Sequence, residues 1–172
     1  MQNHHHLVLG QADGFYRAYK LISAAMRPAF ELPADMPVGA VPQLDASPQQ
    51  LVSMGEFGFL VPPSVVCLAF AVELILKTLL VQNGLLPDPT LPRLPGASRG
   101  IHEFDKLFDK LPAPLQDRIR AAIADDQFEA RLAEHAKTFT DWRYQYELGD
   151  VYTDDEFLLS IWHAARAIVT SP

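Results

Sequence analysis

A single cysteine, Cys67, among 172 residues closes no disulfide within the chain and cannot build a four-thiolate zinc site or an iron–sulfur cluster. Basic residues are outnumbered: 14 Lys+Arg face 21 Asp+Glu, a formal charge of −7. No overall field therefore draws nucleic acid or an anionic membrane to the surface, and any such binding needs a local patch. Long apolar runs are also missing. The longest stretch without a charged residue, Phe57 to Val72, is 16 residues and contains Pro62-Pro63, short of the roughly 18–20 residues of a membrane helix. The opening MQNHHHLVLG has no positively charged start before a long apolar run, so a cytoplasmic, membrane-free protein is expected. His4, His5 and His6 read equally as natural sequence or tag remnant and carry no chemical argument.

Metal and nucleotide signatures are absent as well. His102, His135 and His163 are the usable imidazoles, yet no His-x-x-x-His, His-Glu-x-x-His or Cys/His cluster occurs, and His102 with Asp105 makes only a weak pair. No glycine-rich phosphate loop is visible, and Gly96 and Gly100 read as linker residues. No metal or cofactor is expected. Cys67 sits in the most apolar stretch with no sequence neighbour to activate it, so it reads as a small buried hydrophobe.

What is present is helical patterning in one domain-sized chain, 49% hydrophobic, long enough to bury about 70% of its unfolded surface. Seven of the 14 prolines fall between Pro28 and Pro63 and four between Pro87 and Pro95, dividing three helical blocks. The first is expected to open at Asp13 as N-cap and run to Arg27, with Phe15, Tyr19, Ile22 and Met26 on one face. Residues 29–62 form an unusually long proline-rich connection, in which the apolar Leu51 to Val61 is expected to pack as a hairpin or extended piece. Ser64 to Gln82 is apolar nearly all round, with Glu73 and Lys77 its only charges. It reads as the central buried helix, its charges paired at i,i+4 and its end marked by Asn83-Gly84.

Beyond the second linker, His102 to Leu111 reads as a short amphipathic helix stopped by Pro112. Pro114 opens the next, with Leu115, Ile119, Ala122 and Ile123 at helical spacing. Asp125-Asp126 turn the chain into a longer expected helix, Gln127 to Glu147. The last helix is expected to start with a Thr153/Glu156 capping box and to bury Leu158, Ile161, Trp162, Ala165 and Ile168. With no period-two alternation, the fold class is all-α: a single-domain bundle of five to six helices spanning residues 1–172.

The densest mixture of aromatic and charged residues is Phe139 to Glu147, FTDWRYQYE. On one reading Trp142 and Tyr146 fill the core and Arg143 pairs with Glu147. On the other, Arg143, Trp142, Tyr146 and Glu147 line a ligand site in which the Arg143 guanidinium takes an anion such as phosphate.

Three segments in order, AVELILKTLLVQNG (71–84), IHEFDKLFDKLP (101–112) and FTDWRYQYE (139–147), resemble the HEPN superfamily of small helical-bundle proteins over roughly residues 64 to 170. The resemblance implies a bundle of four or five main helices, frequent homodimerisation, a partner protein, and work in toxin–antitoxin, phage-defence or RNA-processing systems. Many members are metal-independent endoribonucleases whose site is an Arg followed, after four to six residues, by a His. No arginine of this chain has a histidine at that offset. Arg131 and His135 are one residue too close, and Arg143, which stands at the family's position, is followed by Glu147 and Asp150.

Cleavage through a 2′-hydroxyl needs a proton acceptor neutral near pH 7 and a cation for the developing phosphorane charge. Arg143 supplies only the cation, and His163 or His102 would have to come from another helix. The expectation is thus a degenerate ribonuclease site in a binding or regulatory component. A divergent metal-independent endoribonuclease using Arg143 with His163 or His102 is the alternative, and a bare interaction module is the third reading. Charge agrees with the first: residues 1–86 hold 4 basic and 6 acidic groups and residues 87–172 hold 10 and 15. RNA or nucleotide binding is disfavoured except at a local patch.

Overall fold

A computed structural model describes residues 5–30, 60–85, 102–144 and 152–170. Among these the chain is an all-α bundle of seven helical segments: α1 (His5–Phe30), α2 (Val61–Gln82), α3 (Phe104–Asp109), α4 (Ala113–Ile123), α5 (Phe128–Glu134), α6 (Thr138–Arg143) and α7 (Asp155–Thr170). Most of the connection at 29–62 and the Leu51–Val61 piece lie outside the described residues, as do Tyr146, Glu147, Arg93 and Arg99.

The central element is α2, as its sequence requires. Thirteen of its 22 residues are buried, from Ser64 to Leu80, because an apolar surface on every side is stable only when neighbours cover every side. Its longest contact is with α1, followed by α7, α6 and α3, while α4 lies on α7 and α3 on α5. By length and composition α2 could cross a membrane, yet 72% of its most apolar window is buried within the bundle. It starts at Val61 rather than Ser64, since Pro62 and Pro63 occupy the first turn, where a missing N–H costs no helical bond. It ends at Asn83 and Gly84, whose φ of +68° is the left-handed conformation that glycine adopts without strain.

Other boundaries differ from the sequence expectation as well, α1 running on to Phe30 and α3 spanning only Phe104–Asp109. Asp13 does not cap α1, which begins eight residues earlier. The apolar stripe runs back through Ala12 to Val8, both buried against the core, and Asp13 is instead a side-chain partner for Arg166 of α7, at 2.8 and 3.0 Å. Of the expected Gln127–Glu147 helix, the described part, 127–144, holds two helices rather than one. The break falls at 135–137, where Thr138 turns its backbone N–H and its hydroxyl onto the His135 carbonyl. Finally, Asp154 rather than Thr153 caps α7, its carboxylate accepting the Phe157 N–H at 3.0 Å. Thr153 is used differently, accepting the indole N–H of buried Trp142.

Cys67 is half-buried, and burial pushes its thiol up from the usual range, in keeping with a packing role. Where α1 and α7 meet α2, the Tyr19 hydroxyl donates to Asp155 at 3.4 Å. Burial raises both of these groups, Asp155 because its charged form loses water and Tyr19 for the same reason with Asp155 beside it.

Candidate functional site

The arginine singled out by the sequence stands at the end of a row of aromatic rings. Phe15 of α1 meets Phe70 of α2 edge-on at 4.5 Å, and Phe70 stacks on Phe139 of α6 at 4.8 Å and 19°. Against the same Phe139 ring lie the His102 imidazole, at 6.1 Å, and the Arg143 guanidinium, at 5.2 Å from the centroid. Tyr144 covers Arg143 from a second direction, its ring 4.7 Å from the guanidinium carbon and its hydroxyl 3.0 Å from an Arg143 amine.

Arg143 is exposed, and among the described residues no carboxylate pairs with it. The expected partner Glu147 and the neighbouring Tyr146 fall outside them. Trp142, one residue back, is turned inward as a core residue with its N–H satisfied. A planar cation flanked by two rings presents its remaining N–H donors to solvent, an arrangement suited to an anion that also carries a flat ring.

The second half of the site comes from α2 and the residue before α3. Glu73 is fully buried, and one of its oxygens, Oε1, takes both Lys77 Nζ at 2.5 Å and His102 Nδ1 at 2.9 Å. Its other oxygen, Oε2, is buried with no hydrogen-bond partner among the described residues. The His102 side chain is 46% exposed, and its Nε2 has no partner among the described residues. The adjacent Glu103 is engaged by Lys106, so it does not compete for the imidazole. The helical pair Glu73–Lys77 was legible from spacing; its link to His102 was not, because 29 residues separate them. The available signal was a lone carboxylate in an otherwise apolar buried helix.

The other sequence candidates lie elsewhere. His163 is exposed on α7 against Tyr16 of α1, with Nε2 3.5 Å from the tyrosine hydroxyl and the rings edge to face at 5.8 Å. It is not part of the Phe139 cluster. His135 is buried between Tyr152 and Phe157, and burial holds its imidazole below the usual value. Among the described residues no three His, Cys, Asp or Glu side chains group to hold a metal ion.

Comparison with known proteins yields no match among family models, curated proteins or solved structures. The geometry above is therefore the main guide to function.

Proposed function

We propose that this chain is a HEPN-like binding or regulatory domain with a degenerate ribonuclease site, whose Arg143–Phe139–His102 face takes an anionic, base-bearing ligand such as RNA or a nucleotide. The observation that carries the reading is Arg143 itself: an exposed guanidinium held between Phe139 and Tyr144, with no described carboxylate neutralising it, in a protein whose net charge is −7. The arginines that tie helices together here, Arg131 and Arg166, are each held by carboxylates, which Arg143 is not among the described residues, and this counts against the bare interaction module. The order of the three HEPN-like segments supplies the context, a toxin–antitoxin or phage-defence system in the cytoplasm, with a partner protein.

A second reading, a divergent metal-independent endoribonuclease, is favoured by one specific contact, the hydrogen bond between His102 and Glu73. A histidine oriented by a carboxylate is the usual form of a general base. His163, placed against Tyr16, has no such support. One experiment separates the two: mixed-sequence RNA incubated with the purified chain in EDTA, with binding followed by fluorescence anisotropy and integrity by gel. Binding without cleavage is expected, and Arg143→Ala should weaken it about tenfold, the loss of one to two charge-assisted hydrogen bonds. Cleavage abolished by Arg143→Ala would overturn the binding reading in favour of the enzyme.

Homodimerisation belongs to the same proposal, supported by the exposed Leu7 and Leu21 on α1, 59% and 73% accessible. Light scattering at tens of micromolar should give twice the chain mass of 19.2 kDa; a monomeric mass would refute it.

A further inference from the structure

Glu73 is costly to keep where it is. It stands at the middle of the most apolar helix, fully buried, and one of its two oxygens has no partner among the described residues. A carboxylate retained only for stability would have both oxygens satisfied, or would be replaced by an apolar side chain of similar volume, an exchange that is commonly neutral or stabilising. What Glu73 does have is concentrated on Oε1: the Lys77 ammonium, which balances its charge, and Nδ1 of His102. Lys77 and the Glu73 carboxylate would form a helical pair without His102. The histidine is the extra member, and it is the only one of the three with a half-exposed side chain against the ring that also meets Arg143.

A carboxylate oxygen is an acceptor only, so the ring nitrogen facing it must carry the hydrogen. The free imidazole of neutral histidine favours hydrogen on Nε2 instead. In a ring held by Glu73, Nδ1–H points inward and the Nε2 lone pair is left without a partner among the described residues.

We propose that Glu73 is a positioning residue, which fixes His102 as the Nδ1–H tautomer and presents Nε2 as a hydrogen-bond acceptor for a hydroxyl or amine of the ligand held at Arg143. This rests on reading the Phe139 face as a ligand site. It goes beyond that reading by giving His102 a defined protonation geometry and Glu73 a role exerted through another side chain. Lys77 Nζ donates to the same Oε1, which thus accepts from two nitrogens. The ligand class that follows has an anionic group for Arg143 and, beside it, a hydrogen-bond donor for His102, as a ribose hydroxyl next to a phosphate provides.

The test uses the full chain labelled with nitrogen-15 at pH 8, where neutral imidazoles report their tautomer through long-range proton–nitrogen correlations. The His102 signals are assigned by their loss in His102→Gln. Wild type should show the Nδ1–H form. Glu73→Leu, which removes the acceptor while filling the core, should revert it to Nε2–H, and Glu73→Gln, which keeps an acceptor oxygen, should retain Nδ1–H. Thermal melting of the same samples establishes that each is folded, and the wild-type spectrum decides the matter even where a variant is not.

A second arm measures affinity for a mixed-sequence RNA oligonucleotide. Glu73→Leu and His102→Gln should each weaken binding about fivefold, one hydrogen bond's worth, and the double variant should be no weaker than His102→Gln alone. An Nε2–H ring in wild type, an unchanged tautomer in Glu73→Leu, or losses that multiply in the double variant would each overturn the proposal. Absence of RNA binding together with the expected tautomers would overturn the proposed function while leaving the Glu73–His102 relation standing.

Discussion

Two corners of this molecule are built from the same four kinds of side chain and come out opposite. At one, Arg131 lies over the Phe157 ring at 4.4 Å and is gripped by two carboxylates, Asp125 and Asp154, the latter at 2.6 Å, with His135 buried alongside. At the other, Arg143 lies over Phe139 with no described carboxylate, and the histidine, His102, is half-exposed on a buried Glu73 whose second oxygen has no partner among the described residues. In the first corner every charge is answered locally, and the group pins the start of α7 to the turn before α5. In the second the charges are only partly answered among the described residues: the Arg143 guanidinium and the His102 ring are exposed, while the second Glu73 oxygen is buried. Residue type therefore does not mark a functional site here. Under the proposed function, incomplete satisfaction does.

The largest effect separates the scaffold from both corners. Leu76, fully buried one turn from Glu73 on the same helix, should not tolerate Leu76→Asp. An unpaired buried charge costs several kcal/mol, enough to unfold a domain of ordinary stability. Circular dichroism should show the loss of cooperative melting; an unchanged melting temperature would mean that α2 is not the central helix.

Next comes the satisfied corner. Arg131→Met should destabilise the protein by about 1–2 kcal/mol, through two ion-pair hydrogen bonds and a ring contact reduced for partial exposure. It should leave RNA affinity unchanged. A binding loss there would erase the contrast.

Acidification should reach the satisfied corner in two stages. Burial holds the folded His135 below the ordinary 6.5. Its contribution is complete above about pH 6.5 and is lost as the pH falls through the lower folded value, because the unfolded chain takes up the proton first. Asp154 is held below its ordinary 3.8 by the Phe157 N–H and then by Arg131, and Asp125 by the Gln127 N–H and then by Arg131. Their contribution therefore survives down to about pH 4 and fails beneath it. Asp155, raised by burial, works in the opposite sense by favouring the folded state as it protonates. Urea titrations from pH 8 to pH 5 should show stability falling, and His135→Phe should flatten that slope while leaving the loss below pH 4. A slope that persists in the variant would place the titrating group elsewhere.

The smallest stability effect belongs to the open corner. Arg143→Ala should change the melting free energy by less than about 0.5 kcal/mol, as for an exposed side chain without a buried partner. A larger loss would move Arg143 into the structural class with Arg131.

How much of this was legible in the sequence follows from which forces are local. The all-α class, the central position of 64–82 and the turn at Asn83-Gly84 come from periodicity and from the conformational preference of glycine, and both are carried by neighbouring residues. The start of α1 was missed because Asp13 has the chemistry of a cap, whereas the apolar stripe already runs from Val8. Thr153 and Glu156 have capping-box spacing, but Trp142 claims the threonine hydroxyl, and Asp154 stands at the right place to take over. The site was half legible. Arg143 and His102 were both candidates, yet nothing in the spacing tells that Phe139 brings them to one ring, or that His102 rather than His163 joins it. Glu73 read as a helical partner of Lys77 and turned out to be a partner of His102 as well, a contact that only tertiary packing creates.

The contrast between the corners comes to a single titration: a labelled mixed-sequence RNA oligonucleotide in EDTA against wild type, Arg143→Ala and Arg131→Met, each first shown to be folded. If the incompletely satisfied face is the ligand site, wild type and Arg131→Met bind alike and Arg143→Ala binds about tenfold more weakly. If Arg143→Ala binds as wild type does, the open face is not the site, and incomplete satisfaction at Glu73, His102 and Arg143 does not mark function in this protein.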